Sequence, residues 1–228
     1  MVSPLAALGL LAWTFLVGGA PSADQQPVSG GPAADQQLVL AVPYRSQLDG
    51  SRYALANCGP ASLDMVLAYF GVDASLWEVR VRAMQAQGSW VDSEGGYSDS
   101  YGVFVHYLAA AAETYGLRAE GLWTKEAGHV DRLREWQAAD LRRVVLEGHP
   151  VIVQAGYRWL PGRAALHTTL DHYVVVHGLA GDQFVYSDPL DRQGGGGPAR
   201  LISEADLLTA MAHATQPRAA FGVYRPSV

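Results

Sequence analysis

The sequence predicts an α+β domain in which an N-terminal helical part packs on a C-terminal antiparallel sheet. Three observations carry this. Helical apolar spacing is concentrated between residues 58 and 147, short β-rich runs follow from residue 151, and two of those runs are joined by a hairpin-like connection over 178–182. At 228 residues the chain suits one domain of ordinary size. Its 49% hydrophobic and 17% charged residues exclude a disordered or multi-span membrane protein, and a net charge of -6 offers no footprint for nucleic acid.

Three regions follow in order: residues 1–23 as signal peptide or N-terminal anchor, 24–37 as flexible linker, and 38–228 as the folded domain. Pro4 to Ala20 is apolar and uncharged, short for a span of about 20 residues, and followed by small residues. Met1-Val2-Ser3 lacks Lys and Arg, and neither Ala20 nor Ala23 completes an A-x-A cleavage site. Secretion and a retained membrane tether through residues 4–20 therefore both stand. The Gln-, Pro- and Gly-rich stretch that follows has no apolar periodicity and reads as a tether.

Leu38 to Val42 is a β-prone run stopped by Pro43. Residues 44–56 form a polar loop leading to a helix over Cys58–Phe70, with Pro60 in its first turn and Gly71 at its end. A second helix spans Ser75–Gln87, with Ser75 or Asp73 as cap, and a Gly/Ser/Asp-rich loop follows over 88–100. Gly102 to Tyr115, closed by Gly116, and Leu133 to Glu147, closed by Gly148, are the third and fourth helices. The period then changes to strands at Val151–Ala155, His172–His177 and Gln183–Ser187. A last helix over Ser203–His213, with Ser203 as cap, precedes a closing strand at Ala219–Tyr224.

The chain's one cysteine, Cys58, stands at the first turn of the first helix. Single cysteines are most often small buried hydrophobes. A helix start, however, offers unpaired N–H groups and partial positive charge that favour a thiolate, and a lone thiol in an exported protein has no internal disulfide to make. A nucleophilic thiol needs a base, a group that orients the base, and donors for an oxyanion. His172 opens one strand and Asp188 follows the next, so adjacent antiparallel strands bring the two together.

Seven histidines compete for the base role. His106, His129, His149 and His213 have no apolar strand to aim them and suit surface or packing roles, while His167 lies in a polar loop. His177 is the rival of His172; a separation of five puts the two rings on opposite faces of the sheet. Asp171, beside His172, either raises the histidine pKa or points to the other face, and alternation favours the latter. Asp92, Glu94 and Asp99 lack the EF-hand spacing and read as a solvated loop. Trp90, Tyr97, Tyr101, Tyr157 and Trp159 are candidates for a substrate groove, against the commoner role of aromatics in the core.

The stretches Val42-Pro43-Tyr44-Arg45-Ser46-Gln47-Leu48-Asp49-Gly50 and Asn57-Cys58-Gly59-Pro60-Ala61-Ser62, followed by Gly148-His149-Pro150, His172-Tyr173-Val174-Val175-Val176-His177-Gly178 and Ser187-Asp188-Pro189, resemble the C39-like family of papain-fold cysteine peptidases. The resemblance covers residues 42–213. It implies a papain-like fold, Cys58 as nucleophile, His172 as base and then acid, Asp188 as its orienting group, and Gln47 as an oxyanion donor beside the Cys58 N–H. For Gln47 the resemblance is the whole argument. The family commonly has glycine where Asp171 stands. The expected relatives are stand-alone exported members, so processing of double-glycine leaders is not implied.

The expected function is cysteine-dependent hydrolysis of a peptide bond through a thioester, on a peptide or protein substrate, by a monomer without cofactor or metal. Two alternatives share the residues. One is an acyltransferase or transpeptidase, in which an amine resolves the thioester, and the other an exported binding module without turnover.

Overall fold

The computed structural model describes residues 37–88, 102–121, 123–126, 129–165, 170–191 and 199–226. The N-terminal segment and most of the linker lie outside the described residues, as do Asp92, Glu94, Asp99, Trp90, Tyr97, Tyr101 and His167. Within 34–228, a seven-stranded antiparallel sheet runs β2 (Arg118–Glu120), β9 (Ala220–Tyr224), β5 (Val151–Gly156), β6 (Asp171–Ala180), β7 (Gln183–Ser187) and β8 (Arg200–Ser203). The seventh strand, β1 (Gln37–Val39), pairs with the far end of β6, beyond the point where β5 stops. β3 (Trp123–Glu126) and β4 (His129–Leu133) form a separate hairpin.

Period-two alternation divides the sheet's side chains between two cores. Ile152, Tyr173, Val175, Phe221 and Val223 pack with α1 (Cys58–Tyr69), α2 (Leu76–Ala86) and α3 (Val105–Glu113). Val151, Val153, Val174, Val176 and Ala220 pack with α4 (Ala138–Leu146), α5 (Glu204–Ala212) and the fully buried Trp136. Both faces of the central strands are therefore apolar, which is why β5 and the middle of β6 read as unbroken runs rather than as alternating ones.

Helix α1 is buried along ten consecutive residues, Cys58 to Leu67, so it has no solvent face and its sequence is apolar and small-residue rich all round. Gly59 permits the close approach: a Cβ there would stand 2.7 Å from Leu108 Cδ1 on α3 and 3.2 Å from Tyr173 Cδ2 on β6. Helix α2 begins as expected at Ser75, in a reciprocal box in which Ser75 Oγ accepts the Glu78 N–H (3.2 Å) and Glu78 accepts the Ser75 N–H (2.8 Å). Ser203 caps α5 by accepting the Asp206 N–H at 3.1 Å.

The structure corrects several expected boundaries. The third helix starts at Val105, because Phe104 is extended (ψ 150°), and residues 102–104 border the cleft described below. The fourth starts at Ala138, where Asp140 accepts the Gln137 N–H (2.9 Å), and Leu133, its expected first residue, instead ends a strand over His129–Leu133. The first strand ends at Val39: the Leu40 N–H still bonds the His177 carbonyl (2.8 Å), but the Val42 N–H then turns back onto the Leu40 carbonyl (2.8 Å). Strands β2, β3, β4 and β8 escape apolar periodicity because they are short and, except for β8's Leu201-Ile202, largely polar.

Strand β6 carries a bulge: Val176 pairs with Tyr186, but the next partner, Val185, faces Gly178. The inserted residue is His177. Leu179 accordingly packs with Val174 and Val176 rather than with Val175. Gly178 also has no room for a side chain, because a Cβ would lie 2.6 Å from the Leu38 carbonyl oxygen and 3.0 Å from Val185 Cβ. Gly178→Ala is expected to push β1 off β6 and to lower stability by about 1–3 kcal/mol, measured as a fall in the urea midpoint with an unchanged slope.

Candidate active site

His172 meets the thiol of Cys58, and Asp188 meets His172. The thiol is buried, with 7% of the residue exposed, at the first position of α1. The N-cap residue, Asn57, makes no side-chain hydrogen bond to the first turn of this helix. Asn57, which precedes the cysteine, instead accepts from the buried Arg80 (3.0 Å) and donates to Asp49 (3.2 Å). Arg80 reaches from α2 and lies 4.3 Å over the Tyr53 ring, which holds the approach to the cysteine in place.

Antiparallel register explains the meeting of His172 and Asp188. Val175 pairs with Ser187, so continuing one step sets Asp188 opposite Val174, the diagonal neighbour of His172 on the same strand face. His172 Nε2 and Asp188 Oδ1 are 2.7 Å apart, and both residues are buried. With Nε2 committed to the carboxylate, the imidazole meets the thiol through its other nitrogen. Burial alone would lower the histidine pKa. Hydrogen bonds to Asp188 and Cys58 and the charges of both outweigh it and raise the value to about 9.

Asp188 is held as an anion. Burial acts to raise its pKa, but the His172 hydrogen bond and charge, the Leu190 N–H (2.9 Å) and Arg163 (3.0 Å) bring it down to about 2. Arg163 bridges Asp188 to Asp191, which Arg200 pairs from β8. No local pattern pointed to Arg163, which lies in an irregular loop far along the chain from the residues it joins. Tyr157 packs on the His172 ring at 4.6 Å between centroids.

His177 is placed elsewhere. Its Nδ1 is 3.2 Å from the Leu40 carbonyl and so carries the proton, and its Nε2 accepts from Ser187 Oγ at 3.0 Å. Burial holds its pKa below the ordinary histidine value. It pins the start of the domain to the bulge in β6.

Gln47 is buried, its backbone N–H donating to the Pro189 carbonyl (2.9 Å) and its Nε2 to the Ala54 carbonyl (2.9 Å), with Oε1 unpaired. One amide hydrogen remains for another acceptor. Asp171 follows the alternation of β6: its carboxylate accepts from Gln154 Nε2 and from the Thr215 N–H, each at 2.8 Å. Of the expected groove aromatics, Trp159 stacks on His213 at 3.8 Å; among the described residues the aromatics that line the cavity beside Cys58 are Phe104 and Tyr173. Among the described residues, no group of His, Cys, Asp and Glu is arranged to hold a metal ion.

A helix-borne thiol, an imidazole aimed by a buried carboxylate, and a mixed sheet-and-helix scaffold define the papain-like class of fold. The chain belongs to the Peptidase_C39 like family, which it matches over residues 39–205. Among solved structures, a protein assigned as a C39-like peptidase from Bacillus anthracis is similar, with a TM-score of 0.58 at 21% identity over 85% of this chain and 100% of that one. A double glycine motif protease from an AMS/PCAT transporter, in complex with its leader peptide, gives 0.50 at 21% identity over 82% of this chain and 94% of that one. No curated protein matches the sequence.

The His172–Asp188 pair makes stability depend on pH. Asp188 has a depressed pKa, so its contribution is complete above its ordinary 3.8 and is lost as pH falls through about 2. His172 has a raised pKa, so its contribution is complete below its ordinary 6.5 and is lost as pH rises through about 9. The urea midpoint of the wild type should exceed that of Asp188→Asn most between roughly pH 4 and 6.5, and the difference should shrink on either side.

Proposed function

We propose that this chain is an exported cysteine peptidase that hydrolyses peptide bonds through a thioester on Cys58. The observation that carries the reading is the imidazole of His172, buried between the carboxylate of Asp188 and the thiol of Cys58. Family membership and the leader peptide bound to the double glycine motif protease support a peptide as substrate. Export rests on the apolar segment Pro4 to Ala20, which serves as signal or as membrane tether.

In this mechanism Cys58 gives its proton to His172, Sγ attacks the scissile carbonyl carbon, and the oxyanion takes hydrogen bonds from the Cys58 N–H and the remaining Gln47 amide hydrogen. As the tetrahedral intermediate collapses, the C–N bond breaks and protonated His172 gives its proton to the leaving amine. Water then attacks the thioester carbonyl, His172 accepts its proton, and Sγ leaves. Asp188 keeps the imidazole in the orientation that both halves require, and Arg163 with the Leu190 N–H fixes Asp188.

Cys58→Ala should abolish hydrolysis of a peptide mixture as read by mass spectrometry, while Gln47→Ala should cut kcat about 10²- to 10³-fold with a much smaller change in KM. Wild-type activity in the Cys58→Ala protein would overturn the reading. Because the leaving amine needs a protonated His172, activity should fall as pH rises through about 9. In Asp188→Asn the basic limb should move to lower pH, since the raising partner is gone; an unmoved limb would remove His172–Asp188 from the reaction.

A further inference from the structure

The cavity beside Cys58, of about 280 Å³, has a composition that the mechanism does not use. Val103, Phe104, Leu170 and Tyr173 give it an apolar side, alongside the polar Gln154 and Thr215, and two of the apolar residues are exposed at the rim, Phe104 at 46% and Leu170 at 70%. Among the described residues that line it, Asp171 is the one charged side chain. The carboxylate is fixed by two neutral donors, the Gln154 amide and the Thr215 N–H, which orient it without neutralising it.

The other buried or half-buried aspartates at this end of the domain meet arginine: Asp188 pairs with Arg163, and Asp191 with both Arg163 and Arg200. Among the described residues no cation pairs with Asp171, although it is half-buried at the mouth of a cleft. A carboxylate there faces less water than a surface one, so its attraction for a cation is stronger. The complement of an apolar rim over a fixed anion is a side chain with a methylene stem and a cationic head.

We propose that this cavity is a substrate subsite selective for lysine or arginine close to the scissile bond, with the stem on Phe104 and Leu170 and the head on Asp171. The inference rests on the peptidase reading for the word substrate, but not for the cation. Asp171 at a position next to His172 thereby serves selectivity, and the orientation of His172 is left to Asp188.

The test uses the whole chain and its Asp171→Asn variant. Asn keeps an oxygen for the Thr215 N–H, and Gln154 turns its unpaired Oε1 toward the new amide, so the local bonds survive; matching melting temperatures check this. First, a peptide mixture is digested and the cut sites are read by mass spectrometry. Lys and Arg should be enriched within two residues of the cut, and the variant should lose about tenfold of that preference. Second, because Cys58 is the chain's one cysteine, its rates with aminoethyl and sulfonatoethyl methanethiosulfonate are compared. The cationic-to-anionic rate ratio should fall about tenfold in the variant.

Cleavage without a cationic preference, or a rate ratio equal in the two proteins, overturns the subsite and leaves the peptidase reading intact. A wild type that cuts nothing yet keeps an Asp171-dependent rate ratio overturns the peptidase reading and supports the cation pocket.

Discussion

The buried anion of Asp188 is the constraint around which this end of the molecule is assembled. A carboxylate taken out of water is costly unless nearly every lone pair is met, and here His172, the Leu190 N–H and Arg163 meet them. Meeting them draws distant parts of the chain together. Arg163 brings the loop after β5, Asp191 and Arg200 bring β8, and Tyr44 and Gln47 tie the loop before α1 to the Asp191 and Pro189 carbonyls. The imidazole is then set by structure rather than by chance rotamers, and its raised pKa follows from the same contacts.

Helix α1 supplies the other half of the site by being buried on every side. A nucleophile on an exposed helix would be free to shift; this one is wedged between α3 and β6 closely enough that its second residue must be glycine. Arg80 serves the same end from below, through Asn57, and its own burial is offset by the Tyr53 ring and that hydrogen bond. Rigidity of this kind is what allows a thiol and an imidazole from opposite halves of the chain to be held in one geometry.

The strand pair β6–β7 shows how far local pattern reaches. Its hairpin connection, the placing of His172 near the start and of Asp188 just past the end were legible because a strand's period and an Asp-Pro turn are local properties. The choice between His172 and His177 was argued from parity, and parity holds only up to His177, where the bulge inserts it. What distinguishes the two rings is their partners: a carboxylate for one, a carbonyl and a hydroxyl for the other. The short edge strands were invisible for a related reason, since residues such as Arg118-Ala119-Glu120 become a strand only because β9 is there to pair with them.

The sequence by itself determined that a lone cysteine opens a helix, that helices precede an antiparallel sheet, and that a histidine and an aspartate lie near the ends of adjacent strands. All of these follow from spacing, capping and turn chemistry within a few residues. The tertiary structure alone decided that Arg163 fixes Asp188, that Arg80 supports the cysteine loop, that Gln47 keeps one amide hydrogen to give, and that Asp171 is held at the cleft by Gln154 and Thr215 with no cation beside it among the described residues. Each depends on charges and carbonyls brought close from remote parts of the chain, and no local pattern encodes that proximity.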